Sequence, residues 1–228
     1  MVWNSQVPAT NKPLVAIGIP HTETITMLWA YRMLGPLLFI PVPFCDKIPQ
    51  MSRGVPQSVA RDQIVSLALA DPKTTHILWV DTDNVCWKDP QGKSPSDPNE
   101  ALNMLLQVNQ PIVSGLYRAK QAEGFNYAAW VDAKIPDKQG YTPIMDFTGN
   151  FFQVDTIGMG FCLVKREVYE KIPAPWYPWP TVSPSEDFNF CIKARAAGYA
   201  INLFTDVKLT HIGSLDVKPD GRVTTLEL

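Results

Sequence analysis

Several features that would narrow the class of this protein are missing from its 228-residue sequence. No apolar run is long enough to span a bilayer, and the polar residues 1–12 do not resemble a secretory signal, so we expect no membrane anchor. The formal net charge is only −2, which gives no reason to expect broad attraction to nucleic acid or membranes. The four cysteines are far apart and form no Cys-x-x-Cys pair, which favours reduced, buried thiols and a cytoplasmic location.

The composition and length are those of a folded globular domain. Apolar residues make up 46% of the chain and charged residues 18%, and the length suits one α/β domain with a sizeable core. Strands and helices alternate in the first half, which predicts a mostly parallel sheet with right-handed connections. The predicted strands are residues 14–19, 38–44, 77–80 and 111–115, and the predicted helices are 24–34, 58–70 and 98–107.

The second half predicts a mixed or antiparallel region. The shorter predicted strands cover residues 126–131, 141–145, 151–156, 161–165, 200–204 and 207–211. A short helix is predicted at 166–171, and a longer one runs from Ser185 to about residue 197, where Gly198 ends it. Between them, a segment with five prolines and three aromatic residues excludes regular structure. Residues beyond 213 are expected to form an exposed tail.

The most informative segment is the apolar run 77–80, which ends in Asp81-Thr82-Asp83. The run does not alternate with polar residues, so we expect a strand that is covered on both faces. Residues i and i+2 of an extended segment point the same way, which would let Asp81 and Asp83 converge. Two carboxylates suit a hard divalent cation such as Mg²⁺ or Mn²⁺. An ordinary turn would also explain two aspartates after a strand.

Four segments, taken in order, resemble the GT-A fold of nucleotide-sugar-dependent glycosyltransferases. They are the loop after the first strand (residues 19–23), Asp81-Thr82-Asp83, the small-residue loop and strand at 158–166, and the acidic helix start at 185–191 with the late His211. The resemblance implies a Rossmann-type α/β sandwich, whose central mostly parallel mixed sheet is flanked by helices and accompanied by a small antiparallel sheet. It also implies one domain, 1–228, with a nucleotide-binding half at 14–115, an acceptor and catalytic half at 116–213, and a tail at 214–228.

The resemblance further implies a metal-dependent transfer of sugar from a nucleotide diphosphate sugar, with a UDP-sugar as the favoured donor, to an acceptor whose identity stays open. Asp83 and His211 would bind Mn²⁺ or Mg²⁺, and Asp81 would reach both the metal and the ribose. A packed or surface histidine is the alternative for His211. The other donor-binding residues implied are Pro20, His21, Thr22, Glu23, Arg61, Thr82, Gly158 and Gly160.

The acidic pair Glu186 and Asp187 is implied to be catalytic. Asp187 would act as general base on the acceptor hydroxyl, and Glu186 would orient hydroxyl groups, with inversion at the anomeric carbon. Acids are also favoured in any first helical turn, which is the structural alternative. For Arg61, a solvated or locally paired charge is an equally good interpretation.

Two other functions fit parts of the pattern. A phosphohydrolase of the haloacid dehalogenase type would use Asp81 as nucleophile and Asp83 as acid and base. Its loop normally follows the first strand, whereas Asp81 follows several predicted α/β elements, which disfavours this function. A non-catalytic module that binds a nucleotide sugar in the same pocket is the second alternative, since a fold alone does not decide activity.

Overall fold

The computed structural model describes residues 12–21, 24–87, 94–119, 126–133, 140–179, 184–212, 215–217 and 223–225. Within these ranges, no helix is both long and apolar enough to cross a membrane. The predicted donor-binding residues Thr22 and Glu23 lie outside the described residues.

A mixed sheet of parallel and antiparallel strands forms the centre of the protein. Its strands occur in the order β13-β12-β11-β5-β10-β3-β1-β2, with β4 and β8 also paired to β11. The strand β1 pairs in parallel with β2 and β3, and β5 pairs in parallel with β11, whereas β10 is antiparallel to both β3 and β5. The bounds are β1 (Leu14–His21), β2 (Asp46–Arg53), β3 (Thr74–Val80), β4 (Asn84–Cys86), β5 (Ile112–Leu116), β8 (Phe151–Val154), β10 (Phe161–Lys165), β11 (Ile201–His211), β12 (Leu215–Val217) and β13 (Val223–Thr225).

A small antiparallel sheet lies beside the large one. It has the order β7-β6-β9, formed by β6 (Ala129–Asp132), β7 (Tyr141–Pro143) and β9 (Thr156–Ile157). The predicted fold class, a mixed central sheet with a small antiparallel region in the second half, is confirmed.

Helices cover both faces of the central sheet. They are α1 (Met27–Trp29), a π-helical turn (Ala30–Leu34), α2 (Gly35–Phe39), α3 (Gln57–Ala70), α4 (Pro98–Val108), α5 (Arg166–Lys171) and α6 (Glu186–Ala196). One core joins α3, α5 and α6 to the sheet, and a second core joins α1, α2 and α4 to its other face. In β3, Ile77 and Trp79 belong to the first core and Leu78 and Val80 to the second. The prediction of a strand buried on both faces is therefore confirmed.

The segment after β1 differs from the sequence prediction. Gly35 and Pro36 were expected to end the first helix, yet the helical path continues to Phe39. The Gly35 N–H donates to the Ala30 carbonyl, five residues earlier. Such a π-helical turn widens the helix just before Pro36, where a proline ring would otherwise clash with the preceding turn. The strand predicted at 38–44 is wrong, since β2 begins at Asp46.

Two further differences concern the end of the chain. The strands predicted at 200–204 and 207–211 form one strand, β11, with an irregularity where it pairs with β5 between Phe204 and Lys208. Where the sequence predicts a tail, Leu215–Val217 and Val223–Thr225 form β12 and β13, and β12 extends the sheet from β11. Short strands of three residues carry too little pattern to be recognised in a sequence.

Candidate functional site

A tight turn follows β3 and carries both aspartates. The Asn84 N–H donates to the Asp81 carbonyl at 3.3 Å, so Asp81 to Asn84 form a turn and not the extended segment that the sequence suggested. The Asp81 N–H donates to the Gly160 carbonyl at 3.1 Å, and the Asp81 carbonyl accepts from Trp29 Nε1 at 2.9 Å. The Ile212 N–H donates to the Asp83 carbonyl at 2.7 Å. Three distant parts of the chain therefore fix this turn, and Thr82 lies at its tip.

Asp83 and His211 come together on the open side of the turn. The distance from His211 Nε2 to Asp83 Oδ2 is 3.1 Å, and the Asp83 side chain is 43% exposed. The other ring nitrogen, Nδ1, lies 2.8 Å from the Arg118 carbonyl. Because a carbonyl only accepts hydrogen bonds, Nδ1 carries the hydrogen. Nε2 then faces the carboxylate either as the N–H of an imidazolium or with a lone pair that a cation between them would use.

The predicted metal ligands are only partly assembled. Among the described residues, no group of three or more His, Cys, Asp and Glu side chains is arranged to hold a metal ion. Asp83 and His211 are adjacent, whereas the Asp81 carboxylate turns to Arg61. Mn²⁺ and Mg²⁺ sites in nucleotide enzymes use one or two protein ligands with phosphate oxygens and water. The pair Asp83 and His211 fits such a site, which the diphosphate of a donor would complete.

Arg61 joins the turn to the start of α6. Its side chain is 1% exposed, and Nη2 lies 3.1 Å from Asp81 Oδ1. Nε lies 3.4 Å from Glu186 Oε1 and 3.3 Å from Asp187 Oδ1. The first acid of the turn and both acids of the helix therefore share one guanidinium, even though α3, β3 and α6 are separate elements.

Burial and charge shift the pKa values of this cluster. Burial raises the pKa of Asp187 to about 7, against the lowering effect of Arg61. Burial also raises the pKa of Asp81, where Arg61 opposes the shift and Asp83 adds to it. Burial alone would lower the pKa of Arg61, but the carboxylates of Asp81, Asp187 and Glu186 hold it well above its ordinary value. A carboxyl group with a pKa near neutrality suits a general base at physiological pH.

The small-residue loop before β10 packs around Tyr117. The buried Tyr117 hydroxyl accepts a hydrogen bond from the Gly160 N–H at 2.9 Å. A Cβ on Gly158 would lie 2.2 Å from that hydroxyl oxygen, and a Cβ on Gly160 would lie 2.5 Å from Asn84 Nδ2. Both positions therefore exclude side chains because Tyr117 and Asn84 fill the space. Within this loop, the Met159 N–H donates to Asp187 Oδ2 at 3.2 Å.

A cavity of about 230 Å³ opens at the carboxyl ends of β1 and β2. His21 and Arg53 end these two strands and are paired in register, while the buried Pro20 precedes His21. Trp29 connects the cavity to the acids, because it lines the cavity and its Nε1 binds the Asp81 carbonyl. The lining residues are Ile19, His21, Ile25, Trp29, Leu34, Met51 and Arg53.

Three aromatic residues shape the site through contacts that no local sequence pattern indicates. Trp29 and Tyr117 hold the turn and the glycine loop, and Tyr177 packs its ring 5.7 Å from the Arg61 guanidinium. The helical spacing around Trp29 indicated that it faces a core, but no local pattern shows that its Nε1 binds a residue 52 positions later.

Two solved structures share this architecture. A197 from STIV superposes with a TM-score of 0.59 over 94% of this chain and 93% of its own, at 18% identity. GalNAc-T7, solved with UDP, GalNAc and Mn²⁺, gives a TM-score of 0.55 over 89% of this chain and 44% of its own, at 9% identity. This chain has a GT-A-like fold. No protein-family model and no curated protein sequence matches it.

At such low identities the likeness establishes the GT-A-like fold and leaves the activity to the geometry of the site. In this fold the acids meet at one end of the central sheet. The turn after β3 supplies Asp81 and Asp83, the start of α6 supplies Glu186 and Asp187, and His211 lies at the end of β11. Acidic groups at the carboxyl ends of parallel strands lie where open α/β sheets bind ligands.

Proposed function

We propose that the protein is a metal-dependent glycosyltransferase, which moves a sugar from a nucleotide diphosphate sugar to an acceptor hydroxyl. The observation that supports this most directly is the contact between Asp83 and His211 at the open side of the turn, beside the three carboxyl groups around Arg61. Three carboxyl groups share the single Arg61 guanidinium and a fourth, Asp83, lies on the same turn as Asp81, and that excess of negative charge favours a divalent cation.

The cavity lined by His21 and Arg53 is the proposed site of the nucleotide base. Its volume of about 230 Å³ is below the usual range for ligand pockets, which favours a pyrimidine over a purine and hence UDP as the nucleotide. From there the ribose and diphosphate would pass Trp29 and Thr82 to reach Asp81. The glycine loop at Gly158 and Gly160 would form the wall beside the sugar.

Asp83 and His211 would hold the metal ion at the diphosphate. A bound Mn²⁺ would act as a Lewis acid and neutralise charge on the departing diphosphate. The imidazole ligand favours Mn²⁺, with Mg²⁺ as the alternative. The Arg118 carbonyl fixes the His211 tautomer, which is the usual arrangement for a metal-binding histidine.

Asp187 is the proposed general base. One of its oxygens accepts from the Met159 N–H and the other faces Arg61, so the carboxylate is held in one orientation. A carboxylate has about four lone-pair sites, which leaves it able to accept the proton of an acceptor hydroxyl. In-line attack by that hydroxyl would invert the anomeric centre, while Glu186 orients hydroxyl groups of acceptor or donor.

The test is release of UDP, GDP or CMP from a panel of the corresponding nucleotide sugars, with Mn²⁺, with Mg²⁺ and with chelator, alone and with an acceptor panel. We expect metal-dependent release from a UDP-sugar. Phosphate release from p-nitrophenyl phosphate without any donor turnover would instead support the phosphohydrolase. UDP binding without turnover across the whole panel would support the non-catalytic module.

A further inference from the structure

Arg61 is buried, whereas a side chain that contacts the nucleotide directly would be exposed at the surface of the pocket. Its side chain is 1% exposed, and it contacts Asp81 from the strand side and Glu186 and Asp187 from the helix side. Nη1 is buried and has no hydrogen-bond partner within the described residues. The guanidinium is therefore enclosed by protein on all its faces, between two groups of acids that belong to different elements.

Two aromatic rings complete this enclosure. The Arg61 guanidinium carbon lies 5.1 Å from the Trp79 ring centre and 5.7 Å from the Tyr177 ring centre. Cations are attracted to aromatic faces at these distances, and the attraction strengthens when water is excluded. A buried chain of hydrogen bonds fixes both rings, because Trp79 Nε1 donates to the Tyr169 hydroxyl at 2.8 Å and the hydroxyls of Tyr169 and Tyr177 lie 2.9 Å apart.

Asp62, the residue after Arg61 on α3, ties down the aromatic-proline loop, which is the described part (172–179) of the proline-rich segment before α6. Asp62 Oδ1 accepts hydrogen bonds from the N–H groups of Trp176 and Tyr177, at 2.8 and 3.0 Å. From the other side, Asn189 Nδ2 donates to the Pro178 carbonyl at 2.9 Å. The loop thus connects α3 to α6 and places the Tyr177 ring over Arg61.

We propose that Arg61 is a positioning residue that aligns the donor-side carboxylate Asp81 with the acceptor-side pair Glu186 and Asp187, without touching the substrate. This rests on the proposed function for the roles of Asp81 and Asp187. It assigns to the aromatic-proline loop the task of holding Arg61 in place.

The planar shape of arginine suits this task better than a lysine would. Nη2 and Nε point to different carboxylates, so one rigid fork sets the spacing between the turn and the helix. A lysine ammonium is a point charge on a flexible stem and would satisfy one side at a time. Three acids without any cation would repel one another, and a buried unpaired charge is strongly unfavourable.

Substitution of Arg61 by an uncharged residue should change the pKa of Asp187. A general loosening of the structure would not by itself remove this positive charge. An opposite charge within a few ångström lowers the pKa of a carboxylic acid by about 1–3 units. Within the described part of the chain, the other titratable groups around Asp187 are Asp81, Tyr117, Cys162, Glu186 and Cys191. None of these is a cation, so loss of the Arg61 charge should raise the pKa of Asp187.

The experiment is a ¹³C NMR titration of aspartate carboxyl groups in the full chain, with Asp187→Asn used to assign the Asp187 signal. We expect Arg61→Met to move the Asp187 midpoint upward by about one pH unit or more, and Arg61→Lys to give a smaller upward shift. The matched control is Arg195→Met. Arg195 lies on α6, as Asp187 does, and the substitution removes its ion pair with Asp155. It should leave the midpoint unchanged.

Equal Asp187 midpoints in the wild type and both Arg61 variants would overturn the proposal. If Arg61→Met does not fold, Arg61→Lys alone decides the question by the presence or absence of its shift. The titration requires neither donor nor turnover, so it gives a result even if the protein is not a transferase. Conversely, a transferase with an unshifted midpoint would contradict only the role of Arg61.

Once a donor is known, steady-state kinetics separate positioning from direct contact. We expect Arg61→Lys to lower kcat at least tenfold while the Kd for UDP changes less than threefold. A tenfold weaker UDP complex with unchanged kcat would show that Arg61 contacts the nucleotide and would overturn the proposal.

Discussion

The two sides of the candidate site differ in how their charge is balanced. On the open side, the Asp83 side chain is 43% exposed and its Oδ2 lies 3.1 Å from His211 Nε2. On the closed side, Glu186 and Asp187 are 12% and 16% exposed and share the buried Arg61 with Asp81. The open side has room for a cation that the solvent delivers. The closed side already contains its cation and is held in a single arrangement.

This difference assigns separate tasks to acids that look alike in the sequence. Exposed carboxylates bind metal ions and exchange them, whereas enclosed carboxylates have shifted pKa values and fixed orientations. We therefore propose a division in which Asp83 serves the donor diphosphate and Asp187 serves the acceptor proton. Substitutions on the two sides should give different results.

The largest effect is expected on the open side. Asp83→Ala removes a carboxylate from the pair with His211, so we expect Mn²⁺-dependent binding of UDP to be abolished. Calorimetric titration of UDP with and without Mn²⁺ measures this. Asp206→Ala is the control. Asp206 lies on β11, as His211 does, but its Oδ2 accepts a hydrogen bond from Asn150 Nδ2 at 2.9 Å, away from the site. Undiminished Mn²⁺-dependent UDP binding in the Asp83 variant would show that Asp83 does not bind the metal ion.

On the closed side, Asp187→Asn should separate binding from turnover. The amide keeps the shape of the side chain but cannot accept the acceptor proton, so we expect kcat to fall by about 10²–10⁴ while the Kd for UDP stays near the wild-type value. Glu186→Gln is the matched control, with a smaller fall in kcat. A variant that loses UDP binding and kcat together would place Asp187 on the donor side.

The pH dependence of kcat/KM tests whether the pKa of the buried Asp187 carboxyl group is raised. The pKa of Asp187 is raised to about 7, chiefly by burial, and a general base must be ionised. We therefore expect kcat/KM to fall as the pH drops below about 7, approaching a tenfold loss per pH unit, and to level off above it. An acidic limb near pH 4, the range of an ordinary aspartate, would contradict the closed environment.

The smallest effect is expected at the glycine loop, residues 158–160, which is hydrogen-bonded to both Asp81 and Asp187. In Gly158→Ala the new Cβ would lie 2.2 Å from the Tyr117 hydroxyl oxygen, so the unfolding free energy should fall by about 1–3 kcal/mol. Tyr117→Phe in the same chain should recover part of that loss. Gly35→Ala is the control, since its Cβ would meet only the Ala30 carbonyl at 3.5 Å. Equal melting temperatures for the two alanine variants would show that the loop is loosely packed.

Local patterns predicted the elements that carry the acids. The unbroken apolar run of β3 indicated a strand covered on both faces, and Ser185, Glu186 and Gly198 marked the start and end of α6. The strand β2 escaped prediction because it is an edge strand with polar residues and Pro49, which only an edge tolerates.

The charge network could not be predicted for a different reason. Arg61 is 20 residues from Asp81 and 125 residues from Glu186 in the sequence. On its own helix it resembles any surface charge, and only the tertiary arrangement of α3, β3 and α6 shows that it is buried. The same holds for Tyr117, whose hydroxyl explains the glycines that follow it 41 and 43 positions later.

The most direct test of the two-sided site is a crystal structure with UDP and Mn²⁺, with anomalous data that locate the manganese. We predict one manganese peak within coordination distance of Asp83 and His211 and of the UDP phosphates, with the base in the cavity between His21 and Arg53. We also predict that Arg61 keeps its contacts with Asp81 and Asp187. A manganese peak among Glu186 and Asp187, or UDP bound elsewhere on the protein, would contradict the division of the site into a metal side and a base side.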